Sequence, residues 1–220
     1  MALIFDLDGT LIDSLKIHET ATKYAIKSVL GSYDIPESFM GLAVRYPAET
    51  LLKLAEKKFH IKITSETYCK IKKKKLDIIT DKNIAAQVKI YPGVLELVGF
   101  LKENGIKFCI ATSMNTNELR KFTMVLGLNK ISKVIINPDS RSHEKPNPYI
   151  VNKSVSVLGA KKKKSFYVGD SPYDDIASKR AHVKFIGVFN RKELSDSDEF
   201  YNNISELASA VKKDLERFRD

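Results

Sequence analysis

The spacing of apolar residues changes along the chain and divides it into regions of different structure. Ala2–Phe5 is a short run of small and apolar residues, which predicts a buried strand. From Leu15 to about Val88 the apolar residues recur at helical spacing, as Leu51 and Ala55 do, with lysine-rich polar faces between them. No convincing strand pattern occurs in that stretch. The pattern therefore predicts one buried strand followed by a long all-helical block.

Beyond the helical block, strand and helix patterns alternate to the end of the chain. The predicted strands are 106–111, 134–136, 166–168 and 185–189, and the predicted helices are 95–104, 118–126, 148–158, 175–180 and one near the C-terminus. This alternation is typical of an α/β fold in which helices flank both faces of a parallel sheet. Because the helical block separates the first strand from the others, we interpret the block as an insertion. The predicted domains are an α/β core of residues 1–14 and 89–220 and a helical domain of residues 15–88.

The composition is ordinary for a soluble globular protein, with 43% hydrophobic and 29% charged residues. No apolar run approaches the roughly 18 residues that a membrane helix needs. Asp6 and Asp8 interrupt the first apolar run too early for a secretion signal. Cys69 and Cys109 are far apart and lack a partner motif, so reduced thiols are expected. Together these features predict a cytoplasmic protein.

The net charge of +10 invites comparison with nucleic-acid-binding proteins. Its lysines, however, lie in short runs at 72–75 and 161–164 with little aromatic interleaving and no binding motif. Such runs are typical of solvated helix faces and loops, and a positive field could also attract a small phosphorylated substrate. We therefore expect a small-molecule partner, no nucleic acid, no membrane, and a monomer or homodimer.

Polar residues whose side chains could take part in a reaction follow four of the predicted strands. They are Asp6 and Asp8 after the first strand, Thr112 and Ser113 after 106–111, Lys145 in the loop after 134–136, and Asp170 and Asp174 after 166–168. Open α/β sheets place their ligands at the carboxyl ends of the strands, so these side chains are expected to converge. Asp6 and Asp8 would point the same way on a continuing strand, and a divalent metal is the simplest way to offset their repulsion.

This set of groups could move a phosphoryl group by way of a carboxylate nucleophile. A metal and a lysine can neutralise the charge of the phosphate, and a second carboxyl group can protonate the leaving alkoxide. A hydroxyl and backbone amides can hold the remaining phosphate oxygens. Single pieces have ordinary explanations, since Thr112-Ser113 is a common strand-to-loop junction. Asp170 and Asp174 could also be a helix cap and a first-turn acid.

The string Asp-x-Asp-Gly-Thr-Leu-x-Asp-Ser at residues 6–14 resembles the first motif of the haloacid dehalogenase-like superfamily, in its phosphotransferase branch. The other three groups of residues match the remaining motifs of the superfamily in order, and the match spans essentially the whole chain. The resemblance implies a Rossmann-like α/β core with an inserted helical cap, as in the branch of phosphoglycolate phosphatase and β-phosphoglucomutase.

By this resemblance, Asp6 is the nucleophile that becomes aspartyl-phosphate. Asp8 protonates the leaving group and then activates the hydrolytic water. Thr112 hydrogen-bonds the phosphate with Ser113 beside it, and Lys145 pairs with the nucleophile and the phosphate.

The resemblance also implies a Mg²⁺ site. Asp170 binds the ion together with Asp6 and the main-chain carbonyl of Asp8, and Asp174 supports the site without binding the ion directly. The predicted activity is Mg²⁺-dependent hydrolysis of a small phosphorylated metabolite, a monoester similar to phosphoglycolate or a sugar phosphate.

Three residues bear on the choice within the superfamily. Asp8 argues against a dehalogenase, because halide needs no protonation. Gly169 stands where β-phosphoglucomutase-like mutases carry a glutamate and so favours a hydrolase, although His18 lies where the mutases, and many phosphatases, place a histidine. A phosphomutase therefore stays open as the alternative. In the helical domain, His18 and Arg45 are the candidate contacts for the substrate, and Arg45 could grip a carboxylate or a second phosphate.

Overall fold

The computed structural model describes residues 1–31, 35–40, 48–190, 192–194, 197 and 199–218. The chain divides into two compact units. The first unit comprises Met1–Asp13 and Lys89–Asp220, and the second comprises Ser14–Val88. Within the described residues, no helix is both long enough and apolar enough to cross a membrane.

The first unit is built on strands that are short and mostly buried. They are β1 (Ala2–Phe5), β2 (Ile12–Asp13), β3 (Lys89–Ile90), β4 (Lys107–Ala111), β5 (Ile135–Ile136), β6 (Phe166–Gly169), β7 (Lys184–Val188) and β8 (Glu199–Tyr201). Six of them form one parallel sheet in the order β5-β4-β1-β6-β7-β8. The remaining two, β2 and β3, form a separate antiparallel pair.

The sheet order places β1 between β4 and β6. Phe5 lies opposite Ile110 on one side and Val168 on the other, so the three strands end at nearly the same level. The Asp6 amide extends this register by donating a hydrogen bond of 2.9 Å to the Val168 carbonyl. The residues that follow the three strands therefore meet at the carboxyl edge of the sheet, where ligands of such sheets bind.

Ten α-helices lie in the described part of the chain. The second unit holds α1 (Leu15–Val29), α2 (Glu37–Met40), α3 (Ala48–Phe59), α4 (Ser65–Ile79) and α5 (Lys82–Ala85), and the first holds α6 (Val94–Glu103), α7 (Thr116–Leu126), α8 (Tyr149–Val157), α9 (Pro172–Ala181) and α10 (Ile204–Lys213). One face of the sheet, including Ile4 and Tyr167, packs with α8 and α9 through Ile150 and Ala177. Alternate residues such as Leu3 are buried on the other face, where α6 and α10 pack together.

The second unit contains only helices among its described residues, 14–31, 35–40 and 48–88. Its core joins Ile26 of α1, Leu51 of α3 and Ile71 of α4. The rings of Phe39 and Phe59 meet edge to face with centroids 4.9 Å apart. The predicted fold class, a parallel α/β sheet flanked by helices with an inserted helical part, is confirmed.

The elements differ from the sequence prediction at particular places. The predicted helix 175–180 begins three residues earlier, at Pro172, because the Ser171 side chain caps its first turn. Strand β8 was not predicted, since three residues carry no periodic pattern and pair only because β7 presents an edge. The pairing of β2 with β3 was also missed, because it joins segments on either side of the helical insertion.

Two glycines at α6 offer a matched test of the packing. Gly93 has φ +85°, and a Cβ atom there would lie 2.7 Å from the backbone nitrogen of Ser205, whereas nothing lies within 4 Å of a Cβ at Gly99. Gly93→Ala should lower the free energy of unfolding by at least about 1 kcal/mol. Gly99→Ala should raise it by about 0.5–1 kcal/mol, because alanine favours the helix interior. Urea unfolding measures both, and effects of the same sign would contradict this packing.

Candidate active site

The side chain of Lys145 crosses the carboxyl edge of the sheet between two carboxylates. Its Nζ donates to Oδ1 of Asp6 at 2.5 Å and to Oδ1 of Asp174 at 2.6 Å. The Lys145 side chain is only 8% exposed, and those of Asp6 and Asp174 are 7% and 0% exposed. The ammonium also lies 5.9 Å from the ring centroid of Tyr167, whose hydroxyl donates to the Ala111 carbonyl at 3.2 Å. The structure thus brings together the predicted groups that lie farthest apart in sequence.

Asp174 is oriented by the helix that begins beside it. Ser171 is the N-cap of α9, and its hydroxyl and amide both donate to Oδ2 of Asp174, at 2.5 Å and 3.1 Å. The Asp174 amide donates in return to the Ser171 hydroxyl at 3.3 Å, which completes a capping box. One carboxylate oxygen of Asp174 thereby serves the helix and the other serves Lys145. The helix-cap explanation and the active-site explanation of this residue are compatible.

Asp170 is held by the turn that follows β1. The Thr10 hydroxyl donates to Oδ1 of Asp170 at 2.9 Å, and the Thr10 side chain is fully buried. Gly9, with φ +80°, lets the backbone pass so closely that a Cβ there would overlap the Asp170 carboxylate. The motif was recognised in the sequence, but this contact was not, because it joins residues 160 positions apart.

Burial makes the charges of this cluster costly. The pKa of Asp6 is raised well above its usual range by burial and by the charge of Asp174, although Lys145 partly offsets both. Burial and Asp174 raise the pKa of Asp170 to about 7. Burial would lower the pKa of Lys145, but the attraction of Asp174 and Asp6 outweighs it and leaves that pKa well above its usual value. If all of these carboxylates were ionised, their negative charge would be more than Lys145 alone can balance.

The same carboxylates have the composition and spacing of a divalent-cation site. One oxygen from each of Asp6, Asp170 and Asp174 lies within 4.8 Å of the others. Carboxylate oxygens are the ligands that Mg²⁺ prefers, and added positive charge would relieve the repulsion that raises the pKa values of Asp6 and Asp170. The residues present fit such an ion. Asp174 already accepts hydrogen bonds from Lys145 and from Ser171, which suits a supporting position.

The other predicted core residues lie around this cluster. Asp8 is half-buried, and its charge contributes to the raised pKa of Asp6. Thr112 is buried at the end of β4, where its hydroxyl accepts a hydrogen bond of 3.2 Å from the Met114 amide. Ser113 follows it and is half-buried. The pairing of β4 with β1 puts both hydroxyl-bearing residues at the same edge as Asp6.

Two further predicted residues, His18 and Arg45, belong to the stretch that the sequence predicts as the helical domain. His18 lies on α1 in the second unit, half-buried, with its amide donating to the Ser14 carbonyl at 2.9 Å. Arg45 lies outside the described residues. Their contacts with a substrate stay predictions.

Curated relatives resemble this chain over most of its length. Phosphoglycolate phosphatase of Aquifex aeolicus is 29% identical over 185 residues, which cover 83% of this chain and 81% of that protein. Pyrophosphatase PpaX of Oceanobacillus iheyensis is 27% identical over 193 residues, covering 84% and 82%. The crystal structure of β-phosphoglucomutase from Clostridium difficile shares the fold, with a TM-score of 0.75, 21% identity, and coverage of 99% of this chain and 96% of that one.

The profile of the haloacid dehalogenase-like hydrolases matches residues 3–188. This range begins in β1, ahead of Asp6, and ends with β7, so it includes every element that contributes to the carboxylate cluster. The chain belongs to the haloacid dehalogenase-like hydrolase family.

Proposed function

We propose that this chain is a Mg²⁺-dependent phosphatase that hydrolyses a small phosphorylated metabolite through an aspartyl-phosphate on Asp6. The observation that carries the proposal is the Lys145 ammonium, which lies within 2.6 Å of both Asp6 and Asp174 at the carboxyl edge of the sheet. A relative named as a phosphoglycolate phosphatase and another named as a pyrophosphatase support a phosphate ester or anhydride as the substrate class.

In the proposed first step, an oxygen of Asp6 attacks phosphorus, and the bond from phosphorus to the leaving oxygen breaks. Asp8 gives its proton to that oxygen, so the product leaves as an alcohol. Lys145 holds Asp6 in place and attracts the phosphate oxygens, and Thr112 and Ser113 bind those oxygens from β4. In the second step, Asp8 takes a proton from water, the water oxygen attacks phosphorus, and Asp6 leaves as a free carboxylate.

Asp6, Asp170 and the main-chain carbonyl of Asp8 would hold the Mg²⁺ ion. The bound ion would supply positive charge that offsets the phosphate oxygens and the crowded carboxylates. Thr10 keeps Asp170 in position through its buried hydrogen bond, and Ser171 does the same for Asp174. These contacts fix the side chains before any ligand arrives, which lowers the cost of organising the site.

Gly169 favours hydrolysis over phosphoryl transfer to a sugar. A Cβ atom at this position would lie 2.6 Å from both Cβ and Cγ of Asp174, so the site has no room for the glutamate that the related mutases carry. A larger residue would displace the carboxylate that orients Lys145. A β-phosphoglucomutase-like phosphomutase is the alternative, and the structural likeness to such an enzyme supports only the shared fold.

The proposal extends to the helical unit as a cap of residues 15–88 on the catalytic core of residues 1–14 and 89–220. A cap of this kind excludes bulk water and recognises the leaving group. His18 and Arg45 are its candidate substrate contacts, so the identity of the metabolite depends mainly on this part of the chain.

A substrate panel tests the activity. Phosphoglycolate, sugar monophosphates and pyrophosphate are each incubated with the chain, with Mg²⁺ and with a chelator, and released phosphate is measured. We expect release from at least one of them only when Mg²⁺ is present. Transfer of phosphate to a sugar hydroxyl without release would favour the mutase, and equal release in the chelator would exclude the metal requirement.

Asp6→Asn should abolish turnover, because an amide does not attack phosphorus although it nearly keeps the shape of the side chain. We expect at least about a thousandfold loss in kcat with the fold intact by circular dichroism. Asp81→Asn is the matched control, since this exposed residue caps a turn of the helical unit and Asn keeps its acceptor for the Asn83 amide. More than a few per cent of wild-type activity in Asp6→Asn would exclude Asp6 as the nucleophile.

Lys145→Ala should depress kcat/KM by about a hundredfold or more, which corresponds to losing about 3 kcal/mol of charge stabilisation. Lys162→Ala is the control, because Lys162 is exposed in one of the lysine runs and should leave turnover unchanged. Steady-state kinetics with a single substrate compares the two. Equal rates for the two variants would remove Lys145 from the proposed reaction.

The raised pKa of Asp170, about 7 against an ordinary 3.8, makes the stability of the metal-free protein depend on pH in a defined direction. The native carboxyl binds its proton more tightly than the unfolded one, so this contribution to stability falls as pH rises through 7. Mg²⁺ competes with protons for the same oxygens, and its stabilisation should be larger near pH 8 than near about pH 5.5.

Thermal unfolding at both pH values, with Mg²⁺ and with a chelator, measures this difference. Asp170→Asn should lose most of the Mg²⁺-dependent rise in Tm. A rise in Tm that is the same at both pH values would show that these carboxylates are not where the ion and the proton compete.

A further inference from the structure

The loop that carries Lys145 is closed by a cluster of three side chains outside the carboxylate site. Asp139 accepts from the Tyr149 hydroxyl through Oδ2 at 2.5 Å, and its Oδ1 lies 2.5 Å from Nδ1 of His143. The rings of His143 and Tyr149 are stacked, with centroids 4.0 Å apart and planes inclined by 8°. We call Asp139, His143 and Tyr149 the loop clamp.

The loop clamp joins the two ends of one segment. Asp139 lies three residues after β5, and Tyr149 is the first residue of α8, so their hydrogen bond spans ten residues with Lys145 between them. His143, the third member, precedes Lys145 by two residues. The hydrogen bond between Asp139 and Tyr149 therefore restricts the distance between the end of β5 and the start of α8. Lys145 extends from the segment between them.

Further hydrogen bonds tie the same segment to itself and to α9. The side-chain amide of Asn147 donates to the Ser142 carbonyl at 2.8 Å, and its backbone amide donates to the Glu144 carbonyl at 2.9 Å. Arg180 of α9 donates to the Pro146 carbonyl at 3.1 Å. These bonds act on the backbone on either side of Lys145, so the loop clamp belongs to a connected network and not to an isolated surface pair.

The ion-pair members of the loop clamp, Asp139 and His143, are too exposed to act chiefly through stability, whereas Tyr149 packs against the core. The side chains of His143 and Asp139 are 37% and 56% exposed, and ion pairs at such positions contribute little to folding. Hydrogen bonds from Tyr149 and then His143 lower the pKa of Asp139, so its carboxylate is ionised and accepts from both neighbours at neutral pH. The arrangement is better suited to restricting the loop than to holding the fold together.

Lys145 needs such restriction because its own contacts are short and directional. Its ammonium contacts two carboxylates at 2.5 Å and 2.6 Å, and a displacement on the order of 1 Å would break one of them. We propose that Asp139, His143 and Tyr149 are positioning residues that hold Lys145 between Asp6 and Asp174 during phosphoryl transfer. This inference rests on the proposed phosphatase function and deepens it.

Substitutions in the loop clamp test the inference with the full chain, Mg²⁺ and p-nitrophenyl phosphate. Asp139→Ala and Tyr149→Phe should each lower kcat/KM on the order of tenfold, and Asp139→Asn should lose less because it keeps an acceptor oxygen. Tyr201→Phe is the matched control, since Tyr201 also donates to a carboxylate, that of Glu199, but on β8 at the edge of the sheet. It should leave kcat/KM unchanged.

A double-mutant cycle separates positioning from a merely structural role. In a Lys145→Ala background, Asp139→Ala should have no further effect on kcat/KM, because the group that it positions is gone. The same fold-loss in both backgrounds, or no loss in the wild-type background, would overturn the inference. If the residual rate of Lys145→Ala is below detection, the cycle is measured on the affinity for inorganic phosphate, with the same criteria.

The cycle also distinguishes failure of the inference from failure of the proposed function. If the wild-type chain releases no phosphate from p-nitrophenyl phosphate with Mg²⁺, the proposed function fails. If Lys145→Ala keeps the wild-type rate, Lys145 has no role in the reaction and the positioning inference falls with it. If Lys145→Ala loses activity while the loop-clamp variants behave like Tyr201→Phe, only the positioning role is wrong.

Discussion

The contact of one buried ammonium group with two buried carboxylates is the constraint around which this site is arranged. Lys145 reaches Asp6 and Asp174 from a different loop than either of them, and all three side chains are nearly inaccessible to solvent. Buried charges are tolerated only when they are paired and hydrogen-bonded, so each partner must be held in place by its own surroundings. Those surroundings are the sheet under Asp6, the capped helix under Asp174 and the closed loop under Lys145.

The helix cap and the turn that hold these groups in place stabilise both the fold and the site. Ser171 begins α9 by an ordinary capping box, and the acid in that box is Asp174, whose other oxygen contacts Lys145. The turn after β1 likewise lets the chain leave the sheet at Gly9 and delivers Thr10 to Asp170. Because one side chain satisfies both needs, a substitution that spares the secondary structure can still misplace a member of the carboxylate cluster.

The electrostatic state of the site follows from this crowding. Burial and mutual repulsion raise the pKa values of Asp6 and Asp170, and Lys145 offsets only part of the negative charge. Such a cluster stores unfavourable energy that binding of a cation can release. The apolar packing of the sheet against α8 and α9 and of α6 against α10 has to compensate for it. Binding of a cation to this cluster is therefore what would let acidic side chains form a site for the proposed anionic substrate.

The sequence by itself determined most of the elements and the polar residues that follow the central strands. The apolar run Ala2–Phe5, the helical spacing of the insertion and the later alternation depend on local periodicity, which the chain displays directly. The motif residues Asp6 and Asp170 could be assigned to strand ends for the same reason, and Lys145 to the loop that follows another strand. The family follows from them, because their order along the chain is itself the signal.

Only the tertiary structure decided which of these residues touch. The contact of Thr10 with Asp170, the position of Tyr167 beside Lys145 and the pairing of β8 with β7 depend on the strand order β5-β4-β1-β6-β7-β8. No local pattern encodes this order. The hydrogen bond from Tyr149 to Asp139 in the loop clamp depends on the path of one loop. Side chains that are far apart in sequence become partners through the packing of the backbone. Short-range periodicity carries no information about which distant residues will come into contact.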